Sequence, residues 1–175
     1  HVVRDRASGL TAIIAVHSTH LGPGAGGTRF WHYPNPKDGL RDALRLSRGM
    51  SYKNAMAGLP AGGGKAVLLA DEARTKTPEM LTAFARAVDG LAGRYITAQD
   101  VGMSQDDMVA LSKHTAHVAG LPGQGGDPGP YTARGVFLGV KAAAKRALGA
   151  TDTKGVRVAI QGLGSVGGGV AKYLA

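Results

Sequence analysis

The stretch Gly58-Leu-Pro-Ala-Gly-Gly-Gly-Lys65, followed directly by Ala-Val-Leu-Leu-Ala70, decides how the rest of the chain is interpreted. A short apolar run after a glycine cluster is typical of a buried strand, and we predict a strand from Lys65 to Ala70. Lys65 would then be an ammonium group crowded by glycines beside a buried strand. Because burial disfavours the charged form, such a lysine loses its proton easily and becomes a base.

Strands and helices are predicted to alternate along the chain. Further apolar or β-branched runs predict strands over residues 10–16, 94–97, 116–120 and 156–160. Apolar spacing and caps predict helices from Lys37 to a stop at Gly49, after the Thr77 cap, after a Ser104–Asp107 capping box, from a Thr132 cap to Gly149, and from Ser165 onward. This alternation predicts an α/β protein with an open, mostly parallel sheet.

Two glycine-rich segments are candidates for ligand contact. Residues 21–29 hold several glycines and cannot form a helix, so we expect a loop whose amides point at a ligand. Asp100 follows a predicted strand, and strand ends are where α/β proteins place ligand chemistry.

The second glycine-rich segment follows the predicted strand that begins at Val156 and opens the last helix. In that context the G-x-G-x-x-G spacing indicates a dinucleotide turn, with the pyrophosphate on the helix N-terminus. The predicted cofactor-binding residues are Gly162, Leu163, Gly164, Ser165, Val166 and Gly167. The acidic residue that would separate NAD from NADP falls after Ala175, where we expect the dinucleotide fold to continue.

Composition narrows the class of protein. The chain has 175 residues, is 43% hydrophobic, and contains no cysteine, which excludes disulfides, thiolate nucleophiles and sulfur-ligated metals and fits a reducing cytosol. Its apolar runs are shorter than the roughly 18 residues that span a bilayer. These short runs predict no membrane partner. The histidines have no acidic partner at metal spacing, so we predict no metal site. We expect a cytoplasmic protein.

The net charge of +9 raises the alternative of a nucleic-acid-binding protein. A basic stripe recurs at helical spacing, made of Lys37, Arg41, Arg45 and Arg48. Asp38 and Asp42 stand three residues before Arg41 and Arg45, which favours paired charges on a solvated face. We therefore predict no nucleic acid partner. A nucleoside triphosphate loop is also excluded, because Ala66 follows Lys65 where that loop needs Ser or Thr.

The motifs occur in a distinctive order. The glycine-rich segment 21–29 comes first, and it is followed by Tyr-Lys-Asn at 52–54, the stretch ending at Lys65, Arg-Tyr-Ile-Thr-Ala-Gln-Asp-Val-Gly at 94–102, and the turn at 162–167. This order resembles the glutamate/leucine/phenylalanine/valine dehydrogenase superfamily, and within it the leucine and phenylalanine branch. The resemblance covers the chain from about Leu10 to Leu174.

The resemblance implies roles for individual residues. Lys53 would hold the substrate carboxylate, helped by backbone amides near Gly26 and Gly27. Lys65 would be the general base that activates water, and Asp100 would shuttle protons to and from the amine. Thr132 would touch the nicotinamide carboxamide.

The resemblance also implies an activity and a domain plan. The reaction would be NAD-dependent oxidative deamination of an L-amino acid to its 2-oxo acid, with release of ammonia. Residues 1–130 would form the substrate-binding and catalytic domain, and residues 131–175 would begin a Rossmann NAD-binding domain. We expect a homo-oligomer.

Two features of the sequence point to different side chains on the amino acid substrate. Ala25 matches a position that lines the side-chain pocket, and a small residue there leaves room for an aromatic substrate such as phenylalanine. The segments around Lys53 and Tyr95 look more like leucine enzymes, so a branched-chain substrate such as leucine is expected first.

Overall fold

The computed structural model describes every residue from His1 to Ala175. The chain divides into two compact units, His1–Gly126 and Asp127–Ala175. None of its helices combines the length and apolarity needed to cross a membrane.

The first unit is built on a sheet of five strands. They are β1 (Val2–Asp5), β2 (Leu10–Ser18), β3 (Gly24–His32), β4 (Gly62–Ala70) and β5 (Tyr95–Gln99), in the spatial order β1-β2-β4-β3-β5. β3 pairs in parallel with β4 and β5, whereas β2 is antiparallel to both of its neighbours. Every strand except β2 therefore runs in the same direction. The expected α/β fold with an open, mostly parallel sheet is confirmed.

Three helices belong to the first unit and two to the second. They are α1 (Pro36–Met56), α2 (Pro78–Asp89), α3 (Gln105–Ser112), α4 (Gly129–Leu148) and α5 (Ser165–Leu174). Thr77 caps α2 by accepting a hydrogen bond from the Met80 amide, and Ser104 with Asp107 forms the predicted capping box of α3.

The sheet of the first unit is covered on both faces. Successive side chains of β4 point to opposite faces and belong to two different clusters. Ala66 and Leu68 belong to the larger core cluster, together with residues of α2 and α3 such as Phe84. Val67 lies in a smaller cluster with Ala43 of α1. Since side chains alternate along a strand, Lys65 lies on the same face as Val67, under α1.

The first helix corrects the sequence prediction. α1 passes through Gly49 and ends at Met56, and its apolar side chains Leu40 and Leu44 are 41% and 56% exposed. Small residues face the sheet because the helix lies very close to it: a β-carbon on Gly63 would lie 2.3 Å from the Ser47 carbonyl oxygen. An interior glycine costs a helix only about 1 kcal/mol, which packing can offset.

Segment 21–29 is also not the predicted loop, because β3 begins at Gly24 and is hydrogen-bonded on both sides. Its glycines allow close strand contact, and a β-carbon on Gly26 would lie 1.8 Å from the Gly64 carbonyl oxygen. Residues 116–120 form only an isolated bridge between Thr97 and Val118.

The second unit contains α4 and α5. Gly149, with φ of 67°, ends α4 as predicted. Residues 156–160 do not form the predicted strand, because a strand needs a hydrogen-bonded neighbour and the unit has no other extended segment. Thr132 is not a cap: α4 begins three residues earlier, at Gly129, and the Thr132 hydroxyl donates to the Pro128 carbonyl at 2.9 Å.

Candidate active site

The centre of the candidate site is an ion pair between Lys65 and Asp100. Lys65 lies within β4 and is only 6% exposed, and Asp100 directly follows the end of β5. Lys65 Nζ donates a hydrogen bond to Asp100 Oδ2. The two residues are 35 positions apart in sequence, and the sheet brings them together because β3, which lies between β4 and β5, carries no bulky side chain at Gly27.

Arg29 is a member of the site that the sequence reasoning missed. Its Nε lies 3.3 Å from Asp100 Oδ2, and its Nη1 lies 3.1 Å from Asp42 Oδ2. The Tyr33 hydroxyl donates to the same Asp42 oxygen at 2.8 Å. A signal was present: once segment 24–32 is treated as a strand, Gly27 and Arg29 fall on the same face.

This arrangement corrects one predicted surface pair. Arg41 and Asp38 pair as expected, with Nη1 and Oδ1 2.8 Å apart. Asp42, however, binds Arg29 on the sheet and not Arg45 on its own helix. On α1, Asp38 therefore lies on the solvated side and Asp42 lies toward the site.

The site perturbs the pKa of both ionisable partners. Burial lowers the pKa of Lys65, and the charges of Arg29 and Lys53 lower it further, against the opposing hydrogen bond and charge of Asp100. Burial by itself raises the pKa of Asp100, but the hydrogen bond and charge of Lys65, with Arg29, outweigh this effect and leave that pKa below its ordinary value. The site is thus tuned to ease proton loss from Lys65 while Asp100 stays ionised.

The predicted substrate-contact residues of β3 lie beside this pair. Ala25 is paired with Gly63 of β4, and the β3–β4 register resumes at Thr28, leaving out Gly26 and Gly27. A β-carbon on Gly27 would lie 2.8 Å from the Asp100 β-carbon. Glycine at 27 therefore makes room for Asp100.

Lys53 lies in the last turn of α1 and is exposed. The neighbouring Asn54 is buried and donates to the Gly62 carbonyl at 2.6 Å and to the Ala25 carbonyl at 3.4 Å. These bonds fasten the end of α1 over β3 and β4. The charge of Lys53 contributes to the lowered pKa of Lys65, after burial and the charge of Arg29.

The second unit contains the predicted dinucleotide turn. Gly162 has φ of 84°, Gly164 is the N-cap of α5, and a β-carbon on Gly167 would lie 2.0 Å from the Gly162 carbonyl oxygen. A cavity of about 490 Å³ beside the start of α5 is lined by Leu163, Gly164 and Ser165 among others. Four of the predicted cofactor residues do not line it: Thr132, Gly162, Val166 and Gly167.

An acidic side chain near this turn was not anticipated. Asp127 accepts a hydrogen bond from the Gly129 amide at 2.9 Å and another from the Ser165 hydroxyl at 3.4 Å. The first hydroxyl of α5 is therefore oriented by a carboxylate of the same unit.

Comparison with known proteins adds independent findings. Residues 1–117 match the family model described as Glu/Leu/Phe/Val dehydrogenase, dimerisation domain. Leucine dehydrogenase of Bacillus subtilis (strain 168) is 49% identical over 174 residues, which is 98% of this chain and 48% of that protein. The chain thus spans about half the length of the curated relatives it matches.

Two solved dehydrogenase structures have a similar fold. L-tryptophan dehydrogenase from Nostoc punctiforme is 45% identical, with a TM-score of 0.70, over 99% of this chain and 50% of that one. A hetero-hexameric glutamate dehydrogenase from Thermus thermophilus is 26% identical, with a TM-score of 0.77, over 94% of this chain and 42% of that one. These findings confirm the resemblance drawn from the motifs.

Proposed function

Since the chain belongs to the Glu/Leu/Phe/Val dehydrogenase family, we propose that the protein carrying it catalyses NAD-dependent oxidative deamination of an L-amino acid, with leucine or another branched-chain amino acid as substrate. The observation that carries the proposal is the ion pair of buried Lys65 with half-buried Asp100, near enough to Lys53 for its charge to act on the pKa of Lys65. It supplies a base, a proton carrier and a cation for a carboxylate in one place.

Substrate binding is assigned to the β3 glycines and to Lys53. An exposed ammonium at the end of α1 suits the carboxylate of an amino acid, and a charged hydrogen bond of this kind contributes about 1.5–3 kcal/mol. Gly26 and Gly27 pair with Thr97 and Ala98 of β5 but are absent from the β3–β4 register, and their backbone would supply amide donors to the same carboxylate. The substrate α-carbon would then lie toward Lys65 and Asp100.

Proton transfer is assigned to Lys65 and Asp100. Lys65, once neutral, would take a proton from the water that attacks the imine carbon of the oxidised substrate. Asp100 would carry protons to and from the substrate nitrogen, so that ammonia can leave. The lowered pKa of Lys65 raises the neutral fraction at any given pH.

NAD is assigned to the second unit. When bound, it would accept the hydride from the substrate α-carbon. Glycines at the turn and the open cavity at the start of α5 fit a pyrophosphate, which favours the helix N-terminus. The proposed cofactor residues are the turn Gly162–Gly167 and Thr132, in a Rossmann domain that begins within residues 131–175; residues 1–130 would bind the amino acid.

An aromatic amino acid is the second candidate substrate. Ala25 has a small side chain on β3, next to Gly63 of β4, so the strand itself leaves space there for a larger substrate group. One relative is named L-tryptophan dehydrogenase. Phenylalanine and tryptophan therefore belong in any substrate test.

Self-association and cellular location complete the proposal. The matched family model is named as a dimerisation domain, which supports a homo-oligomer. We assign the complete protein to the cytoplasm, in keeping with the lack of cysteine in these 175 residues.

The test is NADH formation by the complete protein at alkaline pH with leucine, valine, phenylalanine, tryptophan and glutamate. We expect the highest kcat/KM with leucine. Absence of NADH with every amino acid, together with salt-dependent retention on DNA, would replace the proposal with a nucleic-acid-binding role.

A further inference from the structure

Arg29 connects the proposed catalytic pair to helix α1. Asp100 Oδ2 accepts hydrogen bonds from both Lys65 Nζ and Arg29 Nε. The same guanidinium reaches Asp42 Oδ2 through Nη1 at 3.1 Å. Tyr33 donates to that oxygen as well, so Asp42 is fixed from two sides.

We infer that Arg29 is a positioning residue for the Lys65–Asp100 pair: anchored on Asp42, its guanidinium holds the Asp100 carboxylate against Lys65 and keeps a permanent positive charge beside both. The inference rests on the proposed function, since Lys65 and Asp100 have their catalytic roles only there. It gives Arg29 no contact with the substrate.

The residue type fits this task. A guanidinium is planar and donates in fixed directions, so it can bind two carboxylates from different elements without losing alignment. A lysine at position 29 would be a flexible point charge. The Arg29 side chain is 24% exposed, so solvent screens its charge only partly.

The charge acts on both partners in the direction that the chemistry needs. A fixed cation near Lys65 favours the neutral amine, and the same cation favours ionised Asp100. The charges that act on Lys65 are those of Asp100 after β5, of Lys53 on α1 and of Arg29 itself. Arg29 in turn contacts Asp42 of α1, which also accepts from Tyr33, and His17 of β2 contacts α1 through Ser51, with Nδ1 2.8 Å from the Ser51 hydroxyl oxygen. Of these, Asp42 and Asp100 are directly bound by Arg29.

The first experiment compares the pH dependence of kcat in the complete protein. Arg29→Gln should lower kcat about ten-fold or more near neutral pH and move the acid limb of the profile to higher pH. Arg29→Lys should keep the limb nearer its original position, because the charge remains, while kcat still falls through lost alignment. Arg41→Gln removes one charge from the solvated side of α1 and should leave both unchanged.

Asp42→Asn tests the position of the Arg29 side chain separately from its charge. It also provides a second test if the Arg29 variants do not fold. It removes the carboxylate anchor but keeps the Arg29 cation, so kcat should fall with a small displacement of the acid limb. If Arg29→Gln and Asp42→Asn both keep the wild-type kcat and pH profile, the inference is wrong.

The second experiment does not depend on turnover. Lysines are reductively methylated with ¹³C, and the Lys65 signal, assigned by its loss in Lys65→Arg, is titrated by NMR. Arg29→Gln should raise the pKa of Lys65 relative to wild type, and Arg41→Gln should not. An unchanged Lys65 titration overturns the inference even if the enzyme is active. A raised Lys65 pKa in a protein without dehydrogenase activity instead overturns the proposed function and leaves the electrostatic role of Arg29 standing.

Discussion

Gly27 of β3 and Asp100, which directly follows β5, lie so close together that a β-carbon on Gly27 would lie 2.8 Å from the Asp100 β-carbon and 2.8 Å from the Gln99 carbonyl oxygen. Real β-carbons are not found at such separations from backbone atoms. The absence of a side chain at position 27 is therefore a condition for the position of the carboxylate. This relationship links a glycine of the sequence motif to the proposed proton chemistry through packing.

Gly27→Ala should displace Asp100 from Lys65 and lower kcat about 100-fold, since a displacement of about 1 Å can have this effect. The matched control is Gly49→Ala in α1, where an added β-carbon meets nothing within 4 Å. That variant should keep full activity and raise the free energy of unfolding by about 0.5–1 kcal/mol. Steady-state kinetics measures kcat of both variants, and urea unfolding measures their free energy of unfolding. Normal turnover in Gly27→Ala would contradict the steric argument.

Lys53→Ala should chiefly weaken substrate binding. Loss of a charged hydrogen bond of about 1.5–3 kcal/mol corresponds to a rise in KM of roughly 10- to 100-fold, with a smaller change in kcat. Lys37→Ala, at the other end of the same helix, is the control and should leave KM unchanged. A kcat that collapses at constant KM would assign Lys53 to the chemical step and not to the carboxylate.

The stability of the fold should depend on Asp100 in a defined pH range. The pKa of Asp100 is below its ordinary value, so its ionised form stabilises the fold; this contribution is complete above the ordinary pKa and is lost as the pH falls through the lowered one. At neutral pH, Asp100→Asn should lower the free energy of unfolding by about 2 kcal/mol.

The difference between wild type and Asp100→Asn should shrink as the pH approaches the lowered pKa, because wild-type Asp100 is then neutral as well. Guanidinium unfolding at a series of pH values measures it, with Asp38→Asn on the solvated side of α1 for comparison. A difference that stays constant into acid would show that the charge of Asp100 does not contribute.

Ala25→Leu tests the side-chain pocket. If Ala25 lines the pocket, the larger residue should lower kcat/KM for phenylalanine and tryptophan about 10-fold or more relative to valine. The ratio of kcat/KM values among these substrates is the measurement, and uniform loss across them would place Ala25 outside the pocket.

Local sequence rules predicted much of the fold of the first unit. The Thr77 cap, the Ser104–Asp107 capping box and the apolar run after Lys65 each act within a few residues, and the structure contains all three. The path of α1 and the strand character of residues 24–29 were missed. In both cases close packing between elements, made possible by glycines, overrode the tendency of glycine to end helices and form loops.

Two members of the candidate site, Lys65 and Asp100, were predictable, but Arg29 and the connections between the residues were not. Lys65 and Asp100 follow from motif order and from the strand end, but nothing local pairs Arg29 with Asp42 across 13 positions. The sequence offers Arg45 as the nearer partner of Asp42, and only the approach of α1 to the sheet selects Arg29. The predicted strand at 156–160 failed for a related reason, since pairing depends on a neighbour.

The most direct test is the turnover of leucine by Lys65→Met and Lys65→Arg in the complete protein. If Lys65 is the base, both variants should lose about 10²- to 10⁴-fold in kcat with KM largely kept, although Lys65→Arg retains the positive charge beside Asp100. A near-normal kcat in either variant would remove the proposed base and with it the mechanism.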